Sequence, residues 1–461
     1  MTALWTSAAL AEALGIPCPG AWSATGLAID SRTVQPGDLF VALPGERTDG
    51  HAHVAAALAA GAVGALVSQL VADAPVERQL MVADTLAGLQ DIAAAARHRS
   101  SARTVAVTGS VGKTSTKEML LHTLGAQGAT HASLGNLNNH IGAPLSLARL
   151  PVDATFAVFE LGMNHPGEIS PLSRLVQPEA AIITWVAAAH LEFFADEGGI
   201  ADEKATILDG LRTGGVAVLP RDCLHFERLA QHADARAVAR IASFGADARA
   251  DVRLMDVVAD ADGSTVAVDF YGETLRYRIG VPGRPWVSNS LAVLAAVDAL
   301  GGDAGAAAAQ LETMTPPKGR GVRQVIPWGN GHVMLVDESY NASPAAVRAA
   351  IATLALAPAQ RRIVVLGDMK ELGPTAPALH AGLAHDLGEA GIDHAFLCGP
   401  LMAELATAAR SVCATTHEAD TAALIPVVVE ALRPGDAVLV KGSLSMGMAR
   451  VVQAIATGRI G

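Results

Sequence analysis

The segment that decides the fold is Val105-Ala106-Val107-Thr108-Gly109-Ser110-Val111-Gly112-Lys113-Thr114-Ser115, which continues as Thr116-Lys117-Glu118-Met119. An apolar run typical of a buried strand breaks into a glycine-containing turn, and Lys113-Thr114 then opens a helical pattern. Such a turn presents backbone N–H groups to phosphate oxygens at a helix N-terminus, where the helix dipole favours negative charge. Lys113 would reach the outer phosphates and the Thr114 hydroxyl would bind Mg²⁺. The segment therefore predicts a nucleotide-binding loop. It departs from the usual spacing G-x-x-x-x-G-K-[ST], because only Gly109-x-x-Gly112 precedes the lysine and Val107 lies where the first glycine would be.

Composition sets the broad class of the protein. The chain has 461 residues, of which 51% are apolar and 17% charged, so we expect a well-packed protein with several domains. Its net charge of −12 argues against a nucleic-acid-binding surface, which needs clustered Lys and Arg. The four cysteines are scattered and have no metal-ligand spacing. No apolar run approaches the roughly 20 residues of a membrane span, and we expect a cytoplasmic monomer.

Strand and helix signals divide the chain into three parts. Short strands at 38–43 and 63–67 flank a helical pattern at 53–60, which indicates a small α/β domain over residues 1–84. The strand at 104–108 then begins a long alternation of strands and helices, which predicts a doubly wound parallel sheet. Period-two alternation at 265–270 and 275–279 adds an antiparallel hairpin to this second domain, residues 85–315.

The third domain follows Pro316-Pro317-Lys318-Gly319, which is typical of a linker because proline does not continue a helix. A second α/β alternation covers residues 316–461, with strand candidates at 333–336, 363–366, 395–398 and 437–440. The predicted fold is therefore α/β throughout, with a central phosphate-loop domain between a small N-terminal domain and a Rossmann-like C-terminal domain.

Three ionisable residues of the central domain are candidates for the site, and two of them lie at strand ends. Glu160 ends a buried strand and His190 follows the next, so both lie at the carboxyl edge where doubly wound sheets bind ligands. A carboxylate there suits Mg²⁺, although a lone Glu is also a common helix cap and a lone His a common structural residue. Lys204 lies in a helical stretch and, from the local pattern alone, is a solvated surface lysine.

Asparagines mark two further candidate positions. Asn138 and Asn139 lie in the segment 135–144, which we interpret as a loop too polar for a core element. Their amides could line a polar substrate channel, but Asn also favours turns for local reasons. Asn289 lies where Pro282-Gly283-Arg284 and the following residues 288–292 open a helix, and it is available either as a cap or as a reader of a nucleotide base.

Together, the order and spacing of these signals resemble the Mur ligase family, ATP-dependent amide-bond ligases that build the peptide stem of cell-wall precursors. The family's short phosphate loop, T-G-[ST]-x-G-K-T-[ST], matches residues 108–115, which accounts for the spacing. Residues 337–344, Asp-Glu-Ser-Tyr-Asn-Ala-Ser-Pro, resemble the signature of the branch that adds D-alanyl-D-alanine, as does Leu-Gly-Asp-Met-Lys-Glu-Leu-Gly at 366–373. Asp30-Ser31-Arg32, the segment 36–42 and Asp49-Gly50-His51 resemble the family's uridine-nucleotide domain.

The resemblance implies the role of each matching residue. The ATP site would comprise Gly109, Ser110, Gly112, Lys113, Thr114, Ser115, Asn289, Arg320 and Asp337. Mg²⁺ would be held by Thr114, Glu160, His190 and Lys204, with the lysine carbamylated, and Lys113, Glu160, His190 and Lys204 would be catalytic. Substrate would contact Ser31, Arg32, Asn138, Asn139, Tyr340 and Asn341.

The implied activity is ATP-dependent addition of D-alanyl-D-alanine to UDP-N-acetylmuramoyl-tripeptide through an acyl phosphate, a step of peptidoglycan synthesis. Two alternatives remain: a ligase of the same family with another amino-acid donor, and a non-catalytic relative that binds a UDP-sugar. The second is motivated by departures from the family pattern near the second metal position, at Trp185, Ala188 and Thr206.

Overall fold

A computed structural model describes residues 3–45 and 48–458. The first part of the chain forms a small parallel sheet beside a two-stranded antiparallel ribbon. The ribbon pairs β1 (Trp5–Thr6) with β2 (Ser23–Ala24), and the sheet has the order β3 (Gly26–Ala28), β4 (Asp38–Val41), β5 (Gly64–Val67) and β6 (Gln79–Met81). The helices are α1 (Ser7–Leu14), α2 (Val54–Ala59) and α3 (Thr85–Arg99), with 3-10 turns at Gly50–His53 and Val76–Arg78.

The middle of the chain forms a nine-stranded sheet whose strand order changes direction at the phosphate-loop strand. Its strands are β7 (Arg103–Thr108), β8 (Thr130–Ala132), β9 (Phe156–Glu160), β10 (Ala180–Ile183), β11 (Val216–Pro220), β12 (Arg240–Gly245), β13 (Val252–Ala259), β14 (Ser264–Phe270) and β15 (Glu273–Ile279). The spatial order is β15-β14-β13-β12-β11-β10-β7-β9-β8, parallel from β8 to β13 and antiparallel beyond. β7 lies between β9 and β10, which both follow it in the chain, so the connections leave β7 in opposite directions and create the switch point where such sheets bind ligands.

Helices cover both faces of this sheet. They are α4 (Lys113–Gly125), α5 (Gly142–Ala148), α6 (Ile169–Val176), α7 (Glu197–Ala205), α8 (Phe226–Ala235), α9 (Arg284–Ala299) and α10 (Ala304–Gln310), with 3-10 turns at Leu191–Phe193, Thr206–Gly210 and Leu311–Thr313. Along β7, Val105 and Val107 pack into one buried cluster and Ala106 into the cluster on the opposite face. A strand buried on both faces needs apolar residues at every position, which explains why the sequence run is continuous rather than alternating.

The last part of the chain forms a six-stranded sheet with the order β16-β17-β21-β18-β19-β20. Its strands are β16 (Val322–Trp328), β17 (Gly331–Glu338), β18 (Arg361–Gly367), β19 (His394–Cys398), β20 (Ala414–Glu418) and β21 (Asp436–Lys441), all parallel except the β16–β17 hairpin. The helices are α11 (Pro344–Leu354), α12 (Ala376–Ala381), α13 (Leu383–Glu389), α14 (Met402–Ala408), α15 (Thr421–Ala431) and α16 (Ala449–Thr457), with 3-10 turns at Gly373–Thr375 and Leu444–Met446.

The three-part α/β architecture and its main strands agree with the sequence predictions. The boundaries at 84/85 and 315/316 stay proposed domain limits: β6 ends at Met81 and β7 begins at Arg103, while β15 ends at Ile279 and β16 begins at Val322. Asp84 caps α3, accepting bonds from the backbone N–H groups of Leu86 and Ala87. One local prediction is wrong: residues 142–144 are the buried first turn of α5, not loop. Packing of α5 against α3 decides this conformation.

Two further observations concern the described residues as a whole. None of their helices combines the length and apolar character needed to cross a membrane. The four cysteines are free thiols rather than disulfides, as their scattered spacing predicts.

Candidate active site

The phosphate loop joins β7 to α4 and is tied to the segment that follows β10. The Ser110 hydroxyl donates to the Ala187 carbonyl at 2.8 Å and accepts from the Ala187 N–H at 3.1 Å. The Ser110 N–H also donates to the Trp185 carbonyl at 2.8 Å. Gly109 is required sterically, because a Cβ there would lie 1.9 Å from Thr184 Oγ1. These bonds fix the loop as an open turn at the helix N-terminus.

Two side chains from the start of α4 face the site. Lys113 Nζ donates to the Gly109 carbonyl at 2.6 Å, spanning the loop that would enclose phosphates. Thr114 Oγ1 donates at 2.8 Å to Glu160 Oε2, at the carboxyl end of β9. Asn138 Nδ2 donates at 2.7 Å to the other oxygen of Glu160, so the carboxylate is held on both sides. The structure therefore brings Lys113, Thr114 and Glu160 together as the sequence predicts.

The two lysines of the site have perturbed acidity. Burial lowers the pKa of Lys113; the nearby Arg320 charge acts in the same direction, and Glu160 opposes it. Burial also holds the pKa of Lys204 well below the usual lysine range, assisted by the positive charge of Lys113. Lys204 is only 2% exposed, so its interpretation as a solvated surface lysine is wrong. An amine of lowered pKa is neutral more often and is therefore a better nucleophile.

Some of the predicted metal-binding residues have the oxygen atoms that Mg²⁺ requires, and others do not. Mg²⁺ prefers oxygen ligands and is commonly held by one or two carboxylates together with substrate phosphates and water. Thr114 and Glu160 supply such oxygens, within hydrogen-bond distance of each other. Lys204 as an amine supplies none, and no three His, Cys, Asp or Glu side chains converge on a metal position in residues 3–45 and 48–458. The residues present therefore fit one ion held with nucleotide phosphates, while a second requires chemical modification of Lys204.

Asn289 lies beside the phosphate loop. A Cβ at Gly112 would lie 2.8 Å from Asn289 Oδ1, and Gly112 itself has a φ of 87°. Asn289 is in the interior of α9, whose N-cap is Gly283, so the capping role is excluded. The amide is 7% exposed. Its position remains compatible with contact to a nucleotide bound on the loop.

The C-terminal domain contributes residues to the same region. The Arg320 guanidinium lies 4.3 Å from the centroid of the Tyr340 ring. Burial raises the pKa of Tyr340, and the neighbouring charges of Arg320 and Glu160 act on it in opposite directions. Asp337 is buried and its Oδ1 accepts from both the N–H and the hydroxyl of Ser339. The charge of Arg320 acts on the pKa of Lys113 and that of Glu160 on the pKa of Tyr340, so the domain that follows the 316–319 linker lies against the phosphate-loop region.

A second contact between the two domains involves His190. His190 Nδ1 lies 2.5 Å from Glu371 Oε2, in the segment after β18. The contact with His190 lowers the pKa of the Glu371 carboxyl despite partial burial. Glu371 lies inside the 366–373 motif, which had no residue-level role in the sequence interpretation. The 366–373 motif was therefore the feature of the sequence that could have identified Glu371 as a site residue.

A cavity of about 560 Å³ lies between the N-terminal and central domains. From the N-terminal domain its lining residues are Gly26, Leu27, Ile29, Asp30, Thr33, Gln35 and Asp38, and from the central domain they are Leu134, Leu137, Leu145 and Arg149. Arg149 Nε donates to the Leu27 carbonyl at 2.9 Å and so bridges the two domains. Sequence patterns gave no signal for Arg149, since it follows the end of α5, which was read in part as loop.

The remaining predicted substrate residues have local roles in this structure. Arg32 is exposed and pairs with Asp30, which lines the cavity, while Ser31 lies between them. Asn139 Oδ1 accepts from the N–H groups of Ile141 and Gly142 and so begins α5. Asn341 is exposed, and its carbonyl accepts from Lys441 Nζ at 3.0 Å. Substrate contact by these four residues stays a prediction.

Comparison with known families and proteins assigns the class. The family model described as "Mur ligase middle domain" matches residues 107–297, "Mur ligase, glutamate ligase domain" matches 324–444, and "Mur ligase family, catalytic domain" matches 23–97. The chain belongs to the Mur ligase family. The resemblance stated from the motifs is therefore confirmed, and the protein is an ATP-dependent ligase by class.

Individual proteins of this family resemble the chain over nearly its whole length. The chain is 36% identical, over 92% of both sequences, to the UDP-N-acetylmuramoyl-tripeptide–D-alanyl-D-alanine ligase of Escherichia coli. It is similar to the crystal structure of MurF from Acinetobacter baumannii, with a TM-score of 0.85, 31% identity and coverage of 98% and 99% of the two chains. It also matches MurF ligase from Thermotoga maritima in complex with ADP, with a TM-score of 0.78, 26% identity and coverage of 94% and 97%.

Proposed function

We propose that this protein adds D-alanyl-D-alanine to UDP-N-acetylmuramoyl-tripeptide at the expense of ATP, in peptidoglycan precursor synthesis. The observation that carries the proposal is that Lys113 and Thr114, at the start of α4, meet Glu160 at the end of β9 beside the phosphate loop. Arg320 and Tyr340 of the C-terminal domain lie against the same site. The names of its near-full-length relatives favour this donor and acceptor. The inferred location is the cytoplasm, where nucleotide-activated precursors are assembled.

The first step joins phosphate to the acceptor. An oxygen of the tripeptide's terminal carboxylate attacks the γ-phosphorus of ATP, and the bond from that phosphorus to the ADP oxygen breaks. The loop N–H groups and Lys113 neutralise charge on the transferring phosphoryl group, which is the main requirement of such transfers. Thr114 and Glu160 would hold Mg²⁺, which neutralises phosphate charge when bound. The products are an acyl phosphate and ADP.

The second step forms the amide. The neutral amine of D-alanyl-D-alanine attacks the acyl carbon, loses a proton to solvent, and the carbon–oxygen bond to phosphate breaks. An acyl phosphate hydrolyses readily, so water must be excluded while the donor binds. The close position of Arg320 and Tyr340 to the phosphate loop supports closure of the C-terminal domain as the device that excludes it.

The burial and lowered pKa of Lys204 support an active enzyme in which this lysine is modified. Lys204 is buried with a depressed pKa, a state in which its amine can add to CO₂ to give a carbamate. A carbamate carries oxygens and negative charge, so it would convert Lys204 into an oxygen ligand. We propose carbamylated Lys204 and His190 as the second Mg²⁺ position.

The test is a comparison of donors. Purified protein is incubated with UDP-N-acetylmuramoyl-tripeptide and ATP, with D-alanyl-D-alanine or with single amino acids, and phosphate release and product mass are measured. We expect product only with the dipeptide, heavier than the acceptor by the dipeptide less one water. Phosphate release with a single amino acid but not with the dipeptide would assign the chain to a different branch of the family.

A further inference from the structure

Lys117 is a buried lysine to which the proposed reaction gives no role. It lies one turn after Lys113 on α4, and its side chain is only 1% exposed. Burying an ammonium group is costly unless the charge is paired and its donors are used. Its Nζ donates to the Ser133 carbonyl at 2.8 Å and to the Gly135 carbonyl at 3.1 Å, and it lies 2.7 Å from Glu118 Oε1. The lysine thus ties α4 to the chain that follows β8.

The two carbonyls belong to the segment 133–138, which leaves the carboxyl end of β8 and has no regular secondary structure. Its ends are bonded to β9 and the residues after it. The Ser133 N–H donates to the Val158 carbonyl at 3.1 Å, and the Gly162 N–H donates to the Asn138 carbonyl at 2.8 Å. Residues 134–136, between these ends, are exposed. Exposed segments with few buried contacts open easily, so the bonds from Lys117 bear directly on the conformation of this one.

Asn138, the last residue of the segment, holds the carboxylate of Glu160. Its Nδ2 donates at 2.7 Å to Glu160 Oε1, while Thr114 Oγ1 donates at 2.8 Å to Oε2. The amide has little free space, because a Cβ at Gly162 would lie 2.8 Å from Asn138 Oδ1. Rotation of the carboxylate would break both bonds. Asn138 therefore keeps Oε2 on the side of Thr114, where the proposed Mg²⁺ would bind.

α4 acts on Glu160 from both sides. Thr114 contacts the carboxylate directly, and Lys117 acts on it through the segment 133–138 and Asn138. Thr114 and Lys117 are three residues apart on one helix, which is less than one turn, so their relative positions are fixed. The helix that begins at the phosphate loop therefore also sets the position of the amide on the far side of the carboxylate.

We propose that Lys117 is a positioning residue, which fixes the segment 133–138 so that Asn138 holds the Glu160 carboxylate in the orientation that binds Mg²⁺ with the nucleotide. The inference rests on the proposed function for the role of Glu160. It assigns Lys117 no contact with nucleotide, metal or substrate. Its action passes through two backbone carbonyls.

Hydrogen-exchange mass spectrometry of the nucleotide-free protein tests the first link, from Lys117 to the segment. Lys117→Met removes the ammonium and keeps an unbranched chain, and we expect the N–H groups of residues 133–138 to exchange about tenfold faster. Thr123→Val is the matched control on α4: Thr123 is equally buried, but its hydroxyl donates to the Met119 carbonyl of the same helix. Exchange at 133–138 should be unchanged in this control.

Lys117→Arg provides a second variant in case Lys117→Met does not fold. It keeps the positive charge beside Glu118, but the rigid planar guanidinium cannot direct its donors as the ammonium does. We expect exchange at residues 133–138 to be faster than in the wild type and slower than in Lys117→Met.

Calorimetric titration with ADP, with and without Mg²⁺, tests the second link, from the segment to the metal position. Outer partners of metal ligands are worth about 10–100-fold in metal affinity. Asn138→Ala and Lys117→Met should therefore each weaken ADP binding by about tenfold with Mg²⁺ and by less than about twofold without it. Adding Lys117→Met to Asn138→Ala should cause little further loss, because the two residues act along one path.

The outcomes separate this proposal from the proposed function. Unchanged exchange at residues 133–138 in both Lys117 variants would overturn the proposal, as would equal weakening of ADP binding with and without Mg²⁺. Additive losses in the double variant would also contradict it, since Lys117 would then act independently of Asn138. A wild type with the expected exchange and Mg²⁺-dependent ADP binding that forms no ligated product would instead overturn the proposed function.

Discussion

Thr114 Oγ1 and Glu160 Oε2 lie 2.8 Å apart, joining the first turn of α4 to the end of β9. This pair is the best-defined oxygen-ligand set in the site, since it combines a hydroxyl and a carboxylate at the carboxyl edge of the sheet. In the proposed enzyme it holds Mg²⁺ together with the nucleotide phosphates.

Replacing Thr114 with Val removes the hydroxyl while keeping the side-chain shape. We expect the Mg²⁺ concentration for half-maximal activity to rise at least tenfold, because one oxygen donor is lost. Thr116→Val is the matched control on the same helix, since Thr116 Oγ1 is buried and has no hydrogen-bond partner in the described structure. The same Mg²⁺ requirement in both variants would contradict the assignment of Thr114.

Gly112→Ala tests the steric relation of the loop to Asn289. The new Cβ would lie 2.8 Å from Asn289 Oδ1 at a φ of 87°, so we expect the free energy of unfolding to fall by about 1–3 kcal/mol and ADP affinity to fall more than tenfold. Gly125→Ala is the control: it ends the same helix with nothing within 4 Å of the added Cβ. Its unfolding free energy should rise or stay level. Denaturant titration and calorimetry measure both quantities.

Carbamylation of Lys204 has a direct spectroscopic signature. With carbon-13 bicarbonate we expect a carbamate resonance from the wild-type protein that is absent from Lys204→Ala, because burial keeps the amine pKa low enough for the neutral form to react. Lys370→Ala controls for a partly exposed lysine, 39% accessible and paired with Asp368. Full activity in Lys204→Ala, or an undiminished resonance, would rule out the modification as a functional feature.

Because His131 is buried, we expect the free energy of unfolding of the protein to fall at acid pH. Burial lowers the pKa of His131, whose Nε2 lies 2.8 Å from the Ser146 carbonyl. The unfolded chain, with a histidine pKa of about 6.5, therefore binds more protons than the folded chain below that pH. The contribution of neutral His131 to the free energy of unfolding is therefore complete above about pH 6.5, and it is lost as the pH falls toward the pKa of His131 in the folded chain.

Urea titrations of wild type and His131→Gln at pH 7.5 and pH 5.5 measure this effect. We expect the wild type to lose more unfolding free energy than the variant between the two pH values. His380 and His394 also have pKa values lowered by burial, so they contribute a further loss of the same sign to both proteins. An equal loss in wild type and variant would show that His131 is not the group responsible.

The sequence predicted those parts of the fold that depend on local patterns. The apolar run at 104–108 and the glycine turn after it specify a buried strand and a helix start without reference to the rest of the chain. The period-two segments at 265–270 and 275–279 likewise became the β14–β15 hairpin. Short strands such as β3 and β6 were missed, because two or three residues carry too little pattern.

Features that depend on distant contacts could not be predicted from local pattern. The burial of Lys204 is decided by packing around α7, and the start of α5 by its contact with α3. The meeting of His190 with Glu371 depends on how two domains pack. In contrast, Glu160 was placed correctly because its position follows from a general rule about the carboxyl edge of parallel strands.

The central claim is that ATP turnover in this chain is coupled to amide formation. The direct measurement is the number of ADP molecules formed per ligated product, with each substrate omitted in turn. We predict one ADP and one phosphate per UDP-N-acetylmuramoyl-pentapeptide, with no sustained turnover when D-alanyl-D-alanine or the tripeptide is absent. Nucleotide binding without substrate-dependent hydrolysis would contradict the claim and favour a non-catalytic UDP-sugar-binding protein.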